Sequence, residues 1–281
     1  MFNMSNKASL HKLIKECIYY NDKELFDTIE DRAISFASRY IGNGLIIQDD
    51  IFNVIKNYAQ GAHLLLFPIQ DDEMRGFICN YKGKLFIFIN TNLPLEKQIF
   101  TAAHELYHLL FHREQLENAY SHLIKSEDLG SKFEEREANL FAALLLVPRT
   151  LLKEQIEILK IGSVNLNLLD IIRLMDVFAV PYKTMVLRLY ETGFLKESDA
   201  DKWLRIPDRD ENAGVLYEMR KHEIGLRWQE RTRKINYSNL KALIIDNDNE
   251  ELIPERKAAK DLDYIQKSME EIFKELGKKI E

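Results

Sequence analysis

A chain of 281 residues, 46% hydrophobic and 30% charged, can bury a full core as one main domain with additions or as two domains, and it carries no low-complexity sequence. Its net charge of −6 argues against bulk attraction to nucleic acid, while leaving room for a local basic patch. No apolar run approaches the roughly 18 to 20 residues of a membrane span, residues 1–7 are too polar for a signal peptide, and two cysteines (Cys17, Cys79) provide neither a disulfide framework nor a thiolate metal site, so a soluble, cytoplasmic protein is expected.

Residues 10–20, 23–40 and 50–58 read as helices, with Asp22 and Asp49 as caps and Gly42-Asn43-Gly44 as a break. Strands follow at 63–69, 76–79 and 84–89, and Tyr81-Lys82-Gly83 supplies the turn between the last two. They predict a small antiparallel sheet, whose exposed edge could pair with an extended peptide. No Gly-rich phosphate loop or internal repeat occurs, so neither a nucleotide enzyme nor a solenoid is indicated.

The next segment carries the chemistry. Thr101-Ala102-Ala103-His104-Glu105-Leu106-Tyr107-His108-Leu109-Leu110 sets an H-E-x-x-H motif inside a helical run. Histidines four apart project from one helical face and can reach one metal ion, and the glutamate beside the first can polarise a metal-bound water. Ile99, Phe100, Ala102, Ala103, Leu106, Leu109 and Leu110 make the helix apolar nearly all round. Two buried imidazoles need partners there, and one metal satisfies both. Tyr107 reads as a core ring. His112 continues the ladder, but successive turns rise about 5.4 Å, so three histidines of a straight helix cannot converge on one ion, and His112 is expected beside a ligand or at the helix end. His122, in the following loop, could face a cleft but reads as solvated; His11, His63 and His222 have no motif around them.

A catalytic zinc takes three protein ligands and keeps one position open. The third is sought in a second apolar helix, residues 133–147, whose acidic first turn suits the positive end of the helix dipole and which Pro148 should stop. Glu135 shares a face with Ala138, Asn139 and Ala142, which permits close approach, whereas Glu137 turns toward Phe141 and Leu144. Glu135 is therefore favoured, Glu137 is the alternative, and Glu134 complements the dipole.

Taken together, His104-Glu105-Leu106-Tyr107-His108, preceded by Ile89-Asn90-Thr91-Asn92 and followed by Glu135-Arg136-Glu137-Ala138-Asn139-Leu140-Phe141-Ala142 and Leu145-Leu146-Val147-Pro148, resembles the ImmA/IrrE family of zinc metallopeptidases. The resemblance covers about residues 50–195, with Tyr107 standing where such motifs often carry glycine. It implies a zincin-like α+β core with a small sheet and an HExxH helix, in bacterial proteins and mobile elements that cleave helix-turn-helix repressors or otherwise act on transcription regulators.

Beyond Pro148, residues 168–178, an Ala179-Val180-Pro181 turn and residues 182–190 closed by Gly193 read as a helix-turn-helix pair. Six Lys or Arg against six Asp or Glu over 168–205 make a poor footprint for DNA, so structural or protein-docking use is expected. The tail holds a basic stretch, 220–234, and an amphipathic stripe of Leu262, Ile265, Met269, Ile272 and Leu276 that packs on its own domain or docks a partner or a second copy.

The reading divides the chain into a metallopeptidase domain at 1–205 (N-terminal helices 1–60, catalytic core 61–160, helical pair 165–205) and a mostly helical accessory region at 206–281. Zinc on His104, His108 and Glu135 would acidify its water and polarise a scissile carbonyl, and Glu105 would carry the water proton to the leaving amine. The expected substrate is a helix-turn-helix repressor. The rival readings are a transcription regulator or docking module that keeps the fold without proteolysis, and an interaction protein with an occluded site.

Overall fold

A computed structural model describes residues 10–42, 44–58, 61–81, 83–117, 132–236 and 239–275. In chain order come helices α1 (Lys12–Glu16), α2 (Ile18–Asn21), α3 (Lys23–Tyr40) and α4 (Ile51–Tyr58), strands β1 (Ala62–Phe67), β2 (Gly76–Tyr81) and β3 (Lys84–Asn90), and then α5 (Leu95–Phe111) and α6 (Arg113–Glu117). After them follow α7 (Lys132–Leu146), α8 (Arg149–Ile158), α9 (Leu168–Phe178), α10 (Tyr182–Glu191), α11 (Glu197–Leu204), α12 (Val215–His222), α13 (Leu226–Gln229), α14 (Asn239–Asn249) and α15 (Glu255–Glu275). The class is mixed α+β, with one three-stranded sheet among many helices. Among the described residues no helix is long and apolar enough to cross a membrane. The elements group into two compact units, Met1–Asp49 with Lys132–Gln229, and Asp50–Ser131 with Glu230–Glu281.

The first unit is helical. Asp22 caps α3 by accepting the Leu25 amide at 3.0 Å, as its position in the sequence predicts. The expected helix over 10–20 instead splits at Cys17, whose extended backbone (φ −69°, ψ 144°) ends α1 and starts α2. Asp49, expected as a cap, sits in a 3-10 turn and holds Arg227 at 2.7 Å. Phe26, Ile29, Ala33 and Phe36 form the buried stripe of α3, and Phe36 meets Phe141 of α7 with ring centroids 6.3 Å apart. The helical pair starts where predicted, and its second helix runs one residue past the expected end, to Glu191. Asn167 and Asp170 form a capping box on α9, Ala179 adopts the left-handed conformation at φ 54°, and α10 follows Pro181. Along α10 the arginine is fully buried, and Arg188 donates to the Val147 carbonyl at 3.0 Å and to Glu191 at 2.6 Å.

The second unit holds the sheet. Its order is β1-β3-β2, with β2 antiparallel and β1 parallel to β3, which corrects the expected antiparallel sheet. The turn at Gly83 (φ +78°) makes β2 and β3 a hairpin. Residues 68–75 carry the chain away from β1 before β2 begins, and β3 rather than β2 returns to β1's side. Leu65, Phe67, Phe77, Cys79 and Phe88 pack on one face with Ile69. On the other face Gly76, opposite Ile89, lies where α5 crosses the sheet. A Cβ there would stand 2.6 Å from both the Phe88 carbonyl oxygen and the Thr101 methyl, so only glycine lets the helix come this close. Burial pushes the Cys79 thiol up to about 12, as suits an inert core cysteine.

Candidate metal centre

The H-E-x-x-H residues lie on α5, which runs from Leu95 to Phe111. The helix begins after Pro94 without a side-chain cap. Its first-turn residues Glu96 and Gln98 are nonetheless buried, and Gln98 Nε2 donates to the carbonyls of Thr91 at 3.2 Å and Leu93 at 2.6 Å. Upstream, Asn90 organises the approach. Its amide donates to the carbonyls of Ile69, Asp71 and Met74 at 3.1, 3.0 and 2.8 Å, and its oxygen accepts the amides of Ile69 and Asn92 at 2.9 and 3.0 Å. One buried side chain at the end of β3 thus ties the 69–74 loop to the segment that leads into α5.

Further along the helix, Ala102, Ala103, Leu106 and Tyr107 are fully buried, and Glu105 and His108 are only 3% and 2% exposed. His104 is half-buried. Helical spacing brings the Nε2 atoms of His104 and His108 to 3.2 Å. Two nitrogens of a tetrahedral zinc with bonds of 2.0–2.1 Å are separated by about 3.3 Å, so this spacing suits a shared ion. His112 is the C-cap residue of α5, and its Nδ1 lies 3.1 Å from His108 Nδ1, the side of the ring remote from His104. Tyr107 is the expected core ring, stacked at 4.8 Å on Phe111.

Glu135 lies in the first helical turn of α7, half-buried like Glu134 and Glu137, with Ala138 and Ala142 fully buried on its side of the helix. His104, His108 and Glu135 form a group able to hold a metal ion, with one donor atom from each within 4.8 Å of the others. His122 falls outside the described residues. The other histidines have local roles: His11 accepts the Leu13 amide as the cap of α1, His63 stacks on Phe86, and His222 pairs with Glu218.

The family model described as the IrrE N-terminal-like domain, Peptidase M78, matches residues 59–190. That domain belongs to the ImmA/IrrE family. No curated protein matches the chain. The match to a peptidase-family model and the two histidines with a glutamate together suggest a metallopeptidase that takes a metal ion. The match begins before β1 and ends in α10, so the H-E-x-x-H helix, the Glu135 helix and the helical pair all belong to the ImmA/IrrE segment.

What sequence reasoning missed lies past that segment. Residues 230–236 bridge β1 at Leu66 and the start of α5 at Pro94, through Asn236 and Arg231. No apolar periodicity marks this stretch, and it is held by main-chain bonds together with the polar side chains of Arg231 and Thr232.

Proposed function

We propose that this chain is a zinc-dependent endopeptidase with a zincin-like core, which cleaves a bacterial regulatory protein, a helix-turn-helix repressor, in the cytoplasm and so relieves repression. The observation that carries the reading is the pair of Nε2 atoms 3.2 Å apart with Glu105 between their residues, inside a segment matched by a peptidase family. His104, His108 and Glu135 would hold the ion. Zinc, when bound, supplies a Lewis acid for the scissile carbonyl and lowers the pKa of its water.

The protein's own groups do the rest. Glu105 follows a ligand on the same helix and is itself buried, so its carboxylate would take the water proton and deliver it to the leaving amine. An extended substrate could pair along β2, which has β3 on one side and no further strand among the described residues on the other. The repressor substrate comes from the family resemblance. Use of the helical pair for DNA has little support, since α10 buries its arginine against Glu191.

The deciding experiment is co-expression with each regulator encoded nearby, followed by mass spectrometry for a single new terminus. Glu105→Gln should keep fold and metal yet lose cleavage by several orders of magnitude, because it removes proton transfer and leaves the Lewis acid. Relief of repression by this variant equal to that of wild type would point to docking without proteolysis.

A further inference from the structure

Residues 230–236 lie outside the segment matched by the peptidase family, and 231–235 are exposed to solvent. Little apolar burial holds them in place. They are held by a run of hydrogen bonds to the end of β1, to Asp72, and to the segment that leads from Thr91 into the first turn of α5. The Asn236 amide donates to the Leu66 carbonyl at 2.9 Å and its carbonyl accepts the Leu66 amide at 3.0 Å. The Arg233 amide donates to the Thr91 carbonyl at 3.0 Å, and the Thr91 hydroxyl donates to the Lys234 carbonyl at 2.9 Å. Arg231 grips Asp72 with both terminal nitrogens, at 2.9 and 3.1 Å, and reaches the Asn92 carbonyl at 2.6 Å.

Two further bonds reach the helix itself. The Leu95 amide, one of the first-turn donors that a helix leaves unsatisfied, donates to the Glu230 carbonyl at 3.0 Å. This main-chain carbonyl does for α5 what Pro94 cannot do with a side chain. The Thr232 hydroxyl donates at 3.1 Å to Oε1 of Gln98, whose amide nitrogen already holds the Thr91 and Leu93 carbonyls. Gln98 is 2% exposed and precedes His104 by six residues, about 9 Å along the helix.

We infer that residues 230–236 are a positioning strap, fixing the first turn of α5 through Glu230 and Thr232 and thereby the placement of the His104 and His108 imidazoles. The metal part of this inference rests on the peptidase reading above. A helix is stiff along its axis, so a first turn free to fray or pivot moves the rings two turns on. The strap makes the region beyond the family segment part of the site's frame, and it is reached from solvent.

The test compares the full chain with Thr232→Val, which removes the hydroxyl at nearly constant volume, and with Thr232→Ser, which restores it. Two readouts are taken: hydrogen–deuterium exchange of peptides covering 91–108 without metal, and affinity for zinc with the visible spectrum of the cobalt-substituted protein. Thr232→Val should raise exchange in that segment and weaken zinc binding about 5-fold, the scale of one lost hydrogen bond, with a shifted cobalt spectrum. Thr232→Ser should return all three to wild type. Exchange in Thr232→Val equal to wild type, or a serine variant that fails to restore it, overturns the strap. If wild type binds neither zinc nor cobalt while the exchange difference and its rescue hold, the strap stands and the metallopeptidase reading falls.

Discussion

The Nδ1 atoms of His108 and His112 face each other at 3.1 Å across one turn of the same helix. Two ring nitrogens at that distance share one proton, so one ring donates and the other accepts. If His108 presents a lone pair at Nε2, on the side of His104, its Nδ1 carries the hydrogen and His112 must accept it. His112 then fixes the tautomer and tilt of His108, the role an acceptor commonly fills behind a metal-bound imidazole. His112→Ala should lower zinc affinity by about 10-fold while leaving the helix intact. Chelator competition measures this, and unchanged affinity would remove His112 from that role.

The candidates for the third ligand separate by metal binding. Glu135→Ala deletes the oxygen grouped with His104 and His108, and it should reduce zinc affinity by about 10-fold or more. Glu137→Ala, one residue pair further along α7, should act on stability alone. Zinc content after dialysis, set beside the melting temperature, distinguishes the two. Metal loss that follows Glu137 would reassign the ligand.

Sequence pattern carried what is local. The i, i+4 spacing that joins His104 to His108, the Asp22 cap and the Ala179-Val180-Pro181 turn each depend on a few neighbouring residues whose types impose the conformation. The parallel partner of β1 could not be read in this way. A turn at Gly83 specifies the β2–β3 hairpin, whereas the choice of β3 over β2 as neighbour of β1 is made by packing between distant segments. The break at Cys17 has no proline or glycine to announce it. The strap at 230–236 was equally hidden, because its main-chain bonds leave no mark in side-chain pattern and Arg231 and Thr232 read as ordinary exposed polar residues until their distant partners are known. In the tail, Leu262 and Ile265 of the expected stripe are half-buried, and Leu276 falls outside the described residues.

Arg188 and Glu191 give a stability prediction. Their side chains are 0% and 4% exposed and 2.6 Å apart, and the guanidinium also holds the Val147 carbonyl at the end of α7. Burial pushes the Glu191 carboxyl up and the adjacent guanidinium pulls it back down. Arg188→Met leaves a buried carboxylate without its cation and should cost about 3 to 5 kcal/mol. The double change Arg188→Met with Glu191→Leu removes both charges and should recover much of that loss. Urea unfolding of the three proteins checks it, and a double variant as unstable as the single one would show that shape, and not charge, is what the pair provides.

The last prediction concerns pH. His63 is half-buried on β1, stacked on Phe86 at a centroid distance of 5.3 Å, and its pKa is lowered from 6.5, first by burial and then by the nearby Lys84. The unfolded chain therefore takes up this proton at a higher pH than the folded one does. Between the two values the unfolded state binds more protons, so stability rises with pH there. The contribution is complete above about pH 6.5 and is lost as pH falls through the folded value. Urea midpoints measured from pH 7.5 downward should fall on acidification, and His63→Phe, which keeps a ring against Phe86, should fall less steeply. His11 is also held below its ordinary value, chiefly by burial, so the informative quantity is the difference in slope between wild type and the single variant. Identical slopes in the two proteins would mean that His63 keeps its ordinary affinity for the proton in the folded state.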